Sequence, residues 1–402
     1  MSAPAAANNA PQNPAQAPAQ APAQNPAQSW KKGLEDVIAT DTKLSYIDGE
    51  KGVLEYCGIP IGQLAEHSTF EETVFLLWNQ RLPKKLELEA FSAELRKRYE
   101  LPAGMEQRLL ALPRDAKPMH MIRTMVSALS MHDVNPDAAD PASLRSKALS
   151  ILARVPTLLA YFHRYRSGMP LVRPDVTLPV GENFLYMLNG ERPKPSMAKA
   201  MDVCLVLHAD HGLNNSTFSA RCVVSTQSDM YSAVTAAIGS LKGPLHGGAN
   251  EGVMVMLAEI SSVDAVEKYV LEKLARKDKV MGFGHRIYKA YDPRATHLQV
   301  LAKQLAYDTG NAALYEKSKR IEEVMNTAVA AKGIYPNVDF YSATTYHCIG
   351  LPLDLFTPVF VIARMGGWAG HVIEQLGDNR LYRPDADYRG AHNIAYTPIA
   401  GR

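Results

Sequence analysis

The chain has 402 residues, enough for two or three domains at the usual roughly 100–200 residues each. Apolar residues make up 47% and charged residues 21%, and 43 Lys and Arg against 41 Asp and Glu leave a net charge of +2. That balance is ordinary for a globular protein and excludes attachment to nucleic acid by bulk positive charge; no apolar run is long enough to span a bilayer, and Cys57, Cys204, Cys222 and Cys348 form neither a CxxC nor a disulfide framework, which favours a reducing compartment.

Residues 1–29 contain no charged residue and consist almost entirely of Ala, Pro, Gln and Asn, with Pro14, Pro18, Pro22 and Pro26 at a four-residue period. Such a segment buries too little apolar surface to offset its ordering entropy, so a disordered, extended tail is expected. It lacks the arginines of a mitochondrial transit peptide and the charged and apolar regions of a signal peptide. Folded sequence is expected from Trp30.

Ser45-Tyr46-Ile47 and Val53-Leu54-Glu55-Tyr56 flank Asp48-Gly49 and predict a small hairpin. Everything after it has helical periodicity. Ser68 and Thr69 precede Glu71 and Glu72 at capping-box spacing, ahead of Val74-Phe75-Leu76-Leu77-Trp78. Asp140-Pro141 opens a helix that carries apolar residues from Leu144 to Phe162 and stops by Gly168, with a kink expected at Pro156. Ser196 is read as the cap of a helix through His208, and Asp229 as the cap of one ending at Gly243. Further helices are expected over 249–260, 264–277, 293–308, 312–331 and 352–376. The fold class is therefore all-α, with one small β-hairpin near the N-terminus.

Three glycine-flanked histidine loops interrupt the helices. They are His208-Ala209-Asp210-His211-Gly212 through Thr217, Gly243-Pro244-Leu245-His246-Gly247-Gly248-Ala249-Asn250, and Gly282-Phe283-Gly284-His285-Arg286-Ile287-Tyr288-Lys289 followed by Asp292-Pro293-Arg294. Glycine beside a histidine lets the backbone approach a ligand closely, which a core histidine does not need. Cys204, His208 and His211 have metal-ligand spacing, but helix geometry makes such neighbours anyway and no fourth ligand follows; no metal is expected. Gly282-x-Gly284 lacks the rest of a dinucleotide fingerprint.

His246 precedes a predicted helix, at the positive end of its dipole, so a neutral imidazole is expected. A neutral imidazole can hydrogen-bond a developing enolate oxygen. A carboxylate base would complete the pair, and Asp339, in a loop between helices opened by Gly333 and Pro336, is the candidate. On its own, Asp339 reads more often as a helix N-cap, and it gains its role only beside His246. Arg294, Arg364 and Arg383 offer fixed forks that suit carboxylates, and Arg364 lies in the apolar stretch after Phe360. Each could instead be a structural ion-pair member. Together they point to a small di- or tricarboxylate substrate.

At these residues the chain resembles citrate synthase. The resemblance runs from Trp30 to the C-terminus, and its motifs are Ser45 to Gly49, His208 to Asn215, Gly243 to Asn250, Gly282 to Arg294, Asn337 to Phe340 and Arg364 to Trp368. It implies a mainly helical two-domain fold, with 30–246 plus 351–402 as the large domain and 247–350 as the small one. It implies a homodimer, with higher oligomers left open, that binds oxaloacetate and acetyl-CoA and requires no bound cofactor and no metal. Oxaloacetate would be held by His211, His285, Arg294 and Arg364, with Arg383 from the other subunit. The catalytic set would be His246, His285 and Asp339. Coenzyme A would lie along Val280, Met281, Gly282 and Gly284, with Lys289 near its phosphates and Asn337 beside it. A cytoplasmic enzyme of the tricarboxylic acid cycle, with neither membrane nor nucleic-acid partner, is the expectation.

Cys57 departs from the family pattern, where Tyr-Arg-Gly is expected and Tyr56-Cys57-Gly58 stands. The chain is also expected to lack the additional N-terminal domain of the larger NADH-inhibited members. The nearest competing reading is 2-methylcitrate synthase, which takes propionyl-CoA; one methylene is worth only about 1–3 kcal/mol in a pocket, so motifs do not separate the two. A non-catalytic helical scaffold is a third reading, disfavoured because His246, His285 and Asp339 are all present.

Overall fold

The computed structural model describes residues 31–402, so the tail expected at 1–29 lies outside the described residues. Residues Thr42–Arg383 form one compact unit. Within 31–41 and 384–402 there are only short 3-10 turns, at Lys32–Leu34 and Ile399–Gly401, and almost no buried side chain.

The sheet comes first. Strands β1 (Ser45–Asp48), β2 (Val53–Tyr56) and β3 (Ile59–Pro60) are antiparallel in the order β1-β2-β3. Asp48 Oδ1 accepts the N–H groups of Glu50 (3.1 Å) and Lys51 (3.0 Å), which closes the first turn. The second turn is Cys57-Gly58, with φ +49° and +82°. Two positive-φ residues make the tight turn that suits a twisted hairpin. The third strand was not expected from the sequence, because two residues are too few for an alternating pattern. Cys57, the departure from the family pattern, holds a left-handed conformation that costs a non-glycine residue about 1 kcal/mol.

Sixteen α-helices follow among the described residues. They are α1 (Ile61–His67), α2 (Phe70–Asn79), α3 (Lys85–Arg96), α4 (Met105–Leu110), α5 (Pro118–Leu129), α6 (Pro141–Arg166), α7 (Val180–Asn189) and α8 (Pro195–His208). Then come α9 (Asn215–Val224), α10 (Met230–Leu241), α11 (Ala249–Glu259), α12 (Val266–Ala275), α13 (Pro293–Asp308), α14 (Ala312–Val329), α15 (Val338–Ile349) and α16 (Phe356–Gly377). The all-α class with a small N-terminal sheet stands.

Local chemistry explains many of the starts. Thr69 accepts from Glu72 N–H at 3.2 Å, and the Ser68 hydroxyl donates to Glu72 at 2.7 Å. Asp140, Asp229 and Asp292 cap α6, α10 and α13 as their positions implied. The helix assigned to a Ser196 cap instead starts two residues earlier, after Lys194 with Pro195 in its first position, where proline costs no hydrogen bond. α6 continues through Pro156 to Arg166.

α16 runs through the core, with nearly every side chain from Phe356 to Val372 buried. Its glycines set its distance from the site. Gly367 N–H donates to Ala209 O at 2.9 Å, and a Cβ at Gly367 would lie 2.6 Å from that oxygen and overlap Asp210. Only glycine brings Arg364, one turn earlier, beside the loop after α8.

Candidate active site

The loop between α8 and α9 is fixed from three sides. Tyr56 of β2 donates its hydroxyl to Asp210 O (2.7 Å) and accepts Asp210 N–H (3.1 Å). Asp210 Oδ2 accepts Gly212 N–H at 3.1 Å and the Ser45 hydroxyl, and faces His371 Nε2 at 3.3 Å. Burial pushes the Asp210 carboxyl upward, but His371, Ser45 and Arg364 outweigh it and hold it below the ordinary range. His211 follows, 5% exposed, with Nε2 3.1 Å from Tyr288 Oη. Burial, then the charge of Arg294, drives its pKa well down, so the ring is neutral. His208 is fully buried, its Nδ1 3.1 Å from Tyr346 Oη and its ring 4.1 Å from that of Phe360. It is a core histidine, and no group of three metal-ligating side chains occurs among the described residues.

His246 lies in the turn before α11, whose N-cap is Gly248 at φ +89°. Its pKa is pushed down to about 4, first by burial and then by Arg364. The neutral ring expected from the helix dipole is present, but desolvation is the main cause. Ser216 N–H, in the first turn of α9, points at Nε2 from 3.3 Å, and the Ser216 hydroxyl lies 2.8 Å away. Those contacts put a lone pair on Nε2 and the proton on Nδ1. Trp368 Nε1 donates to the same Ser216 oxygen at 3.2 Å. Ser216 was in a quoted motif but received no role; the Asn214 cap just before it was the signal that its backbone points outward from a helix start.

His285 has its tautomer set by its own loop. Its Nδ1 accepts the N–H groups of Ile287 (3.0 Å) and Tyr288 (3.2 Å), so the proton is on Nε2. Burial and Arg294 bring its pKa to about 4. Its ring lies edge-on to that of His211, with centroids 5.2 Å apart.

Asp339 is not in a loop, as the sequence suggested, and is not an N-cap. Asn337 caps α15 and accepts Asp339 N–H at 3.0 Å, so Asp339 is in the first turn. α15 is buried nearly all round and shows no amphipathic stripe, which masked its start. The Asp339 carboxylate makes no hydrogen bond among the described residues. Burial raises its pKa to about 6, with Arg294 and Arg364 opposing and Asp292 assisting.

Arg294 and Arg364 are 1% and 6% exposed. Asp292 grips Arg294 through Nε (3.0 Å) and Nη2 (2.8 Å). Arg294 Nη1 and the Nε and Nη1 of Arg364 are buried without a hydrogen-bond partner. Leaving such donors unmade costs about 1–3 kcal/mol each, more when charged, so they mark a place for an anion. Both charges are felt at His211, His285 and Asp339, and that of Arg364 at His246. The sequence missed Asp292 as a partner because an i, i+2 pair is not a helix-face neighbour. Arg383, by contrast, is exposed in the loop after α16, and this chain does not gather it with the buried set.

The segment proposed for coenzyme A borders α15. Val280 is buried, and Met281 is half-buried. Gly282 and Gly284 have φ +81° and +80°. Asn337 N–H donates to Gly282 O, and Asn337 Nδ2 to Gly284 O, both at 2.9 Å. Lys289 N–H donates to Gly49 O at 2.9 Å, and its side chain is exposed.

Residues 33–385 match the family described as citrate synthase, C-terminal domain. The protein named citrate synthase 2 of Bacillus subtilis is 47% identical over 372 residues, covering 92% of this chain and 99% of that protein. A 2-methylcitrate synthase of Mycobacterium tuberculosis is 40% identical over 361 residues, covering 90% of each. Among solved structures, the ternary complex of carboxymethyl coenzyme A and oxaloacetate with citrate synthase from the archaeon Thermoplasma acidophilum is 35% identical with a TM-score of 0.87, covering 92% of this chain and 99% of that one.

Proposed function

The chain belongs to the citrate synthase family, and on that premise we propose that it condenses acetyl-CoA with oxaloacetate and water to give citrate and CoA. The observation that carries the assignment is the pair of buried guanidinium groups with open donors, set among neutral imidazoles and beside a carboxyl whose pKa is near 6.

Arg294 and Arg364 bind the carboxylates of oxaloacetate, with His211 beside them. His285 donates Nε2–H to the keto oxygen and draws electron density from the carbonyl carbon. Asp339 removes a methyl proton from acetyl-CoA, and His246 donates its Nδ1–H to the thioester oxygen as the enol forms. The enol carbon attacks the carbonyl carbon, and citryl-CoA results. Water then hydrolyses the thioester and releases CoA. Val280, Met281, Gly282, Gly284 and Asn337 line the coenzyme arm, and Lys289 meets its phosphates. Acetyl-CoA is consumed and CoA released, so no resident cofactor takes part.

Residues 247–350 form the small domain that closes over the reactants before enolisation, since water would quench the enol. Its ends are glycines in the left-handed region, Gly248 at φ +89° and Gly350 at φ +88°, which suit hinges. The active form is a homodimer in the cytoplasm, and Arg383 enters the partner's site.

Thiol release on mixing with oxaloacetate is the test. Turnover is expected with acetyl-CoA. A clear preference for propionyl-CoA would move the assignment to 2-methylcitrate synthase, and no thiol release with either would end it.

A further inference from the structure

Behind the site lies a buried carboxylate whose hydrogen-bond donors are all neutral. Glu322, on α14, is 7% exposed. Tyr291 donates its hydroxyl to Oε1 at 2.5 Å, and the Tyr341 hydroxyl donates to Oε2. Gln299 Nε2 lies 2.7 Å from Oε2 and 2.9 Å from Tyr341 Oη. Burial and the Glu322 charge both raise the pKa of the two tyrosines, so they remain protonated donors.

The donors come from the segments that carry the chemistry. Tyr291 immediately precedes Asp292 and stands three residues before Arg294. Tyr341 stands two residues after Asp339 on α15. Gln299 is further along α13, whose first turn holds Arg294. Glu322 therefore ties the segment of the guanidinium to that of the carboxylate base, from a helix that supplies nothing to the site itself.

Packing does not account for this group. Taking a carboxylate out of water costs several kcal/mol, and an apolar side chain of similar volume commonly packs as well or better. Hydroxyl bonds to an ionised acceptor are short and directional, which suits them to fixing a distance. We infer that Glu322 is a positioning residue, which holds Tyr291 and Tyr341 together and so fixes the distance between Arg294 and Asp339. The inference rests on the roles given above to those two residues. The charges felt at Asp339 are those of Arg294, Asp292 and Arg364, so Glu322 acts through geometry.

The test uses Glu322→Gln, Tyr291→Phe and Tyr341→Phe in the full chain. Three readouts are taken: steady-state constants, melting temperature, and exchange of acetyl-CoA methyl protons with D2O in the presence of malate, the dicarboxylate lacking the keto group. A displacement of about 1 Å costs up to roughly a hundredfold in rate. Tyr341→Phe is expected to slow methyl exchange about tenfold or more while the oxaloacetate KM stays within about twofold. Tyr291→Phe is expected to raise the oxaloacetate KM about fivefold or more and to leave exchange at saturating malate near wild type. Glu322→Gln is expected to do both. Variants that melt lower but keep kcat, KM and exchange within about twofold of wild type would make Glu322 purely structural and overturn the inference. If Glu322→Gln does not fold, the two phenylalanine variants decide. Asp339→Asn is run alongside: if it still exchanges at the wild-type rate, the base assignment fails, and the KM of Tyr291→Phe alone then decides the role of Glu322.

Discussion

Asp292 grips Arg294 by two N–H···O bonds, and both side chains are 1% exposed. The pair fixes the plane of the guanidinium and leaves Nη1 as its open donor. A second anion is thus invited at one edge of a fork whose other edge is taken.

Asp292→Asn should be costly. Breaking a buried pair typically destabilises by about 3–5 kcal/mol. Melting temperature should fall, and saturating oxaloacetate should recover part of the loss, because the ligand compensates the unpaired buried charge of Arg294. Asp292 also raises the Asp339 pKa, so the acid limb of kcat/KM should move to lower pH in this variant. An unchanged melting point, measured by calorimetry, would show that the pair is dispensable.

In the proposed role of base, Asp339 must be ionised. With a pKa near 6, kcat/KM should fall as pH drops through about 6. The same shift has a stability consequence of opposite direction. Folding raises this pKa from 3.8, so the folded state favours the protonated form. That contribution is full below pH 4 and is lost as pH rises through 6. Asp339→Asn, permanently neutral, should therefore be more stable than wild type at pH 8, by an amount on the order of 3 kcal/mol, and should match wild type at pH 3.5. Its turnover should fall by about 100-fold or more. Retained turnover, or no stability gain at pH 8, would contradict the environment assigned to this carboxyl.

Nitrogen-15 NMR should find His285 neutral with its proton on Nε2, and His246 neutral with its proton on Nδ1, throughout pH 5.5 to 8, since both pKa values lie near 4. The bonds to Nδ1 of His285 and Nε2 of His246 require this assignment. Either ring titrating above pH 6 would be incompatible with it.

Mixing variants tests whether the site is shared between subunits. Arg383→Ala and Asp339→Asn should each be nearly inactive alone. Unfolded together and refolded, they should give mixed dimers in which one site has both groups intact. Recovery of about a quarter of wild-type turnover is expected for random pairing. No recovery would mean that Arg383 serves its own chain or neither.

Much of the site was legible because its loops interrupt a strong helical pattern. A histidine beside glycine at a helix end is visible in one dimension, and so is an aspartate before proline. Ser216, Asp292 and Glu322 were not assigned, for different reasons. Ser216 meets His246 across 30 residues, and Glu322 meets Tyr291 across 31, distances that no periodicity encodes. Asp339 was placed in a loop because α15 is buried on nearly every side, with Ser342, Thr344 and Thr345 among its apolar residues, and so shows no amphipathic stripe.

The order of residues by itself determined the helical class, most helix starts and the inventory of reactive groups, because periodicity, caps and glycine turns are local properties of the chain. Only the tertiary structure decided which nitrogen of each imidazole holds its proton, which guanidinium donors stay open and how far a carboxyl departs from its ordinary acidity. Those depend on desolvation and on charges brought near from distant segments, and neither exists until the chain has packed.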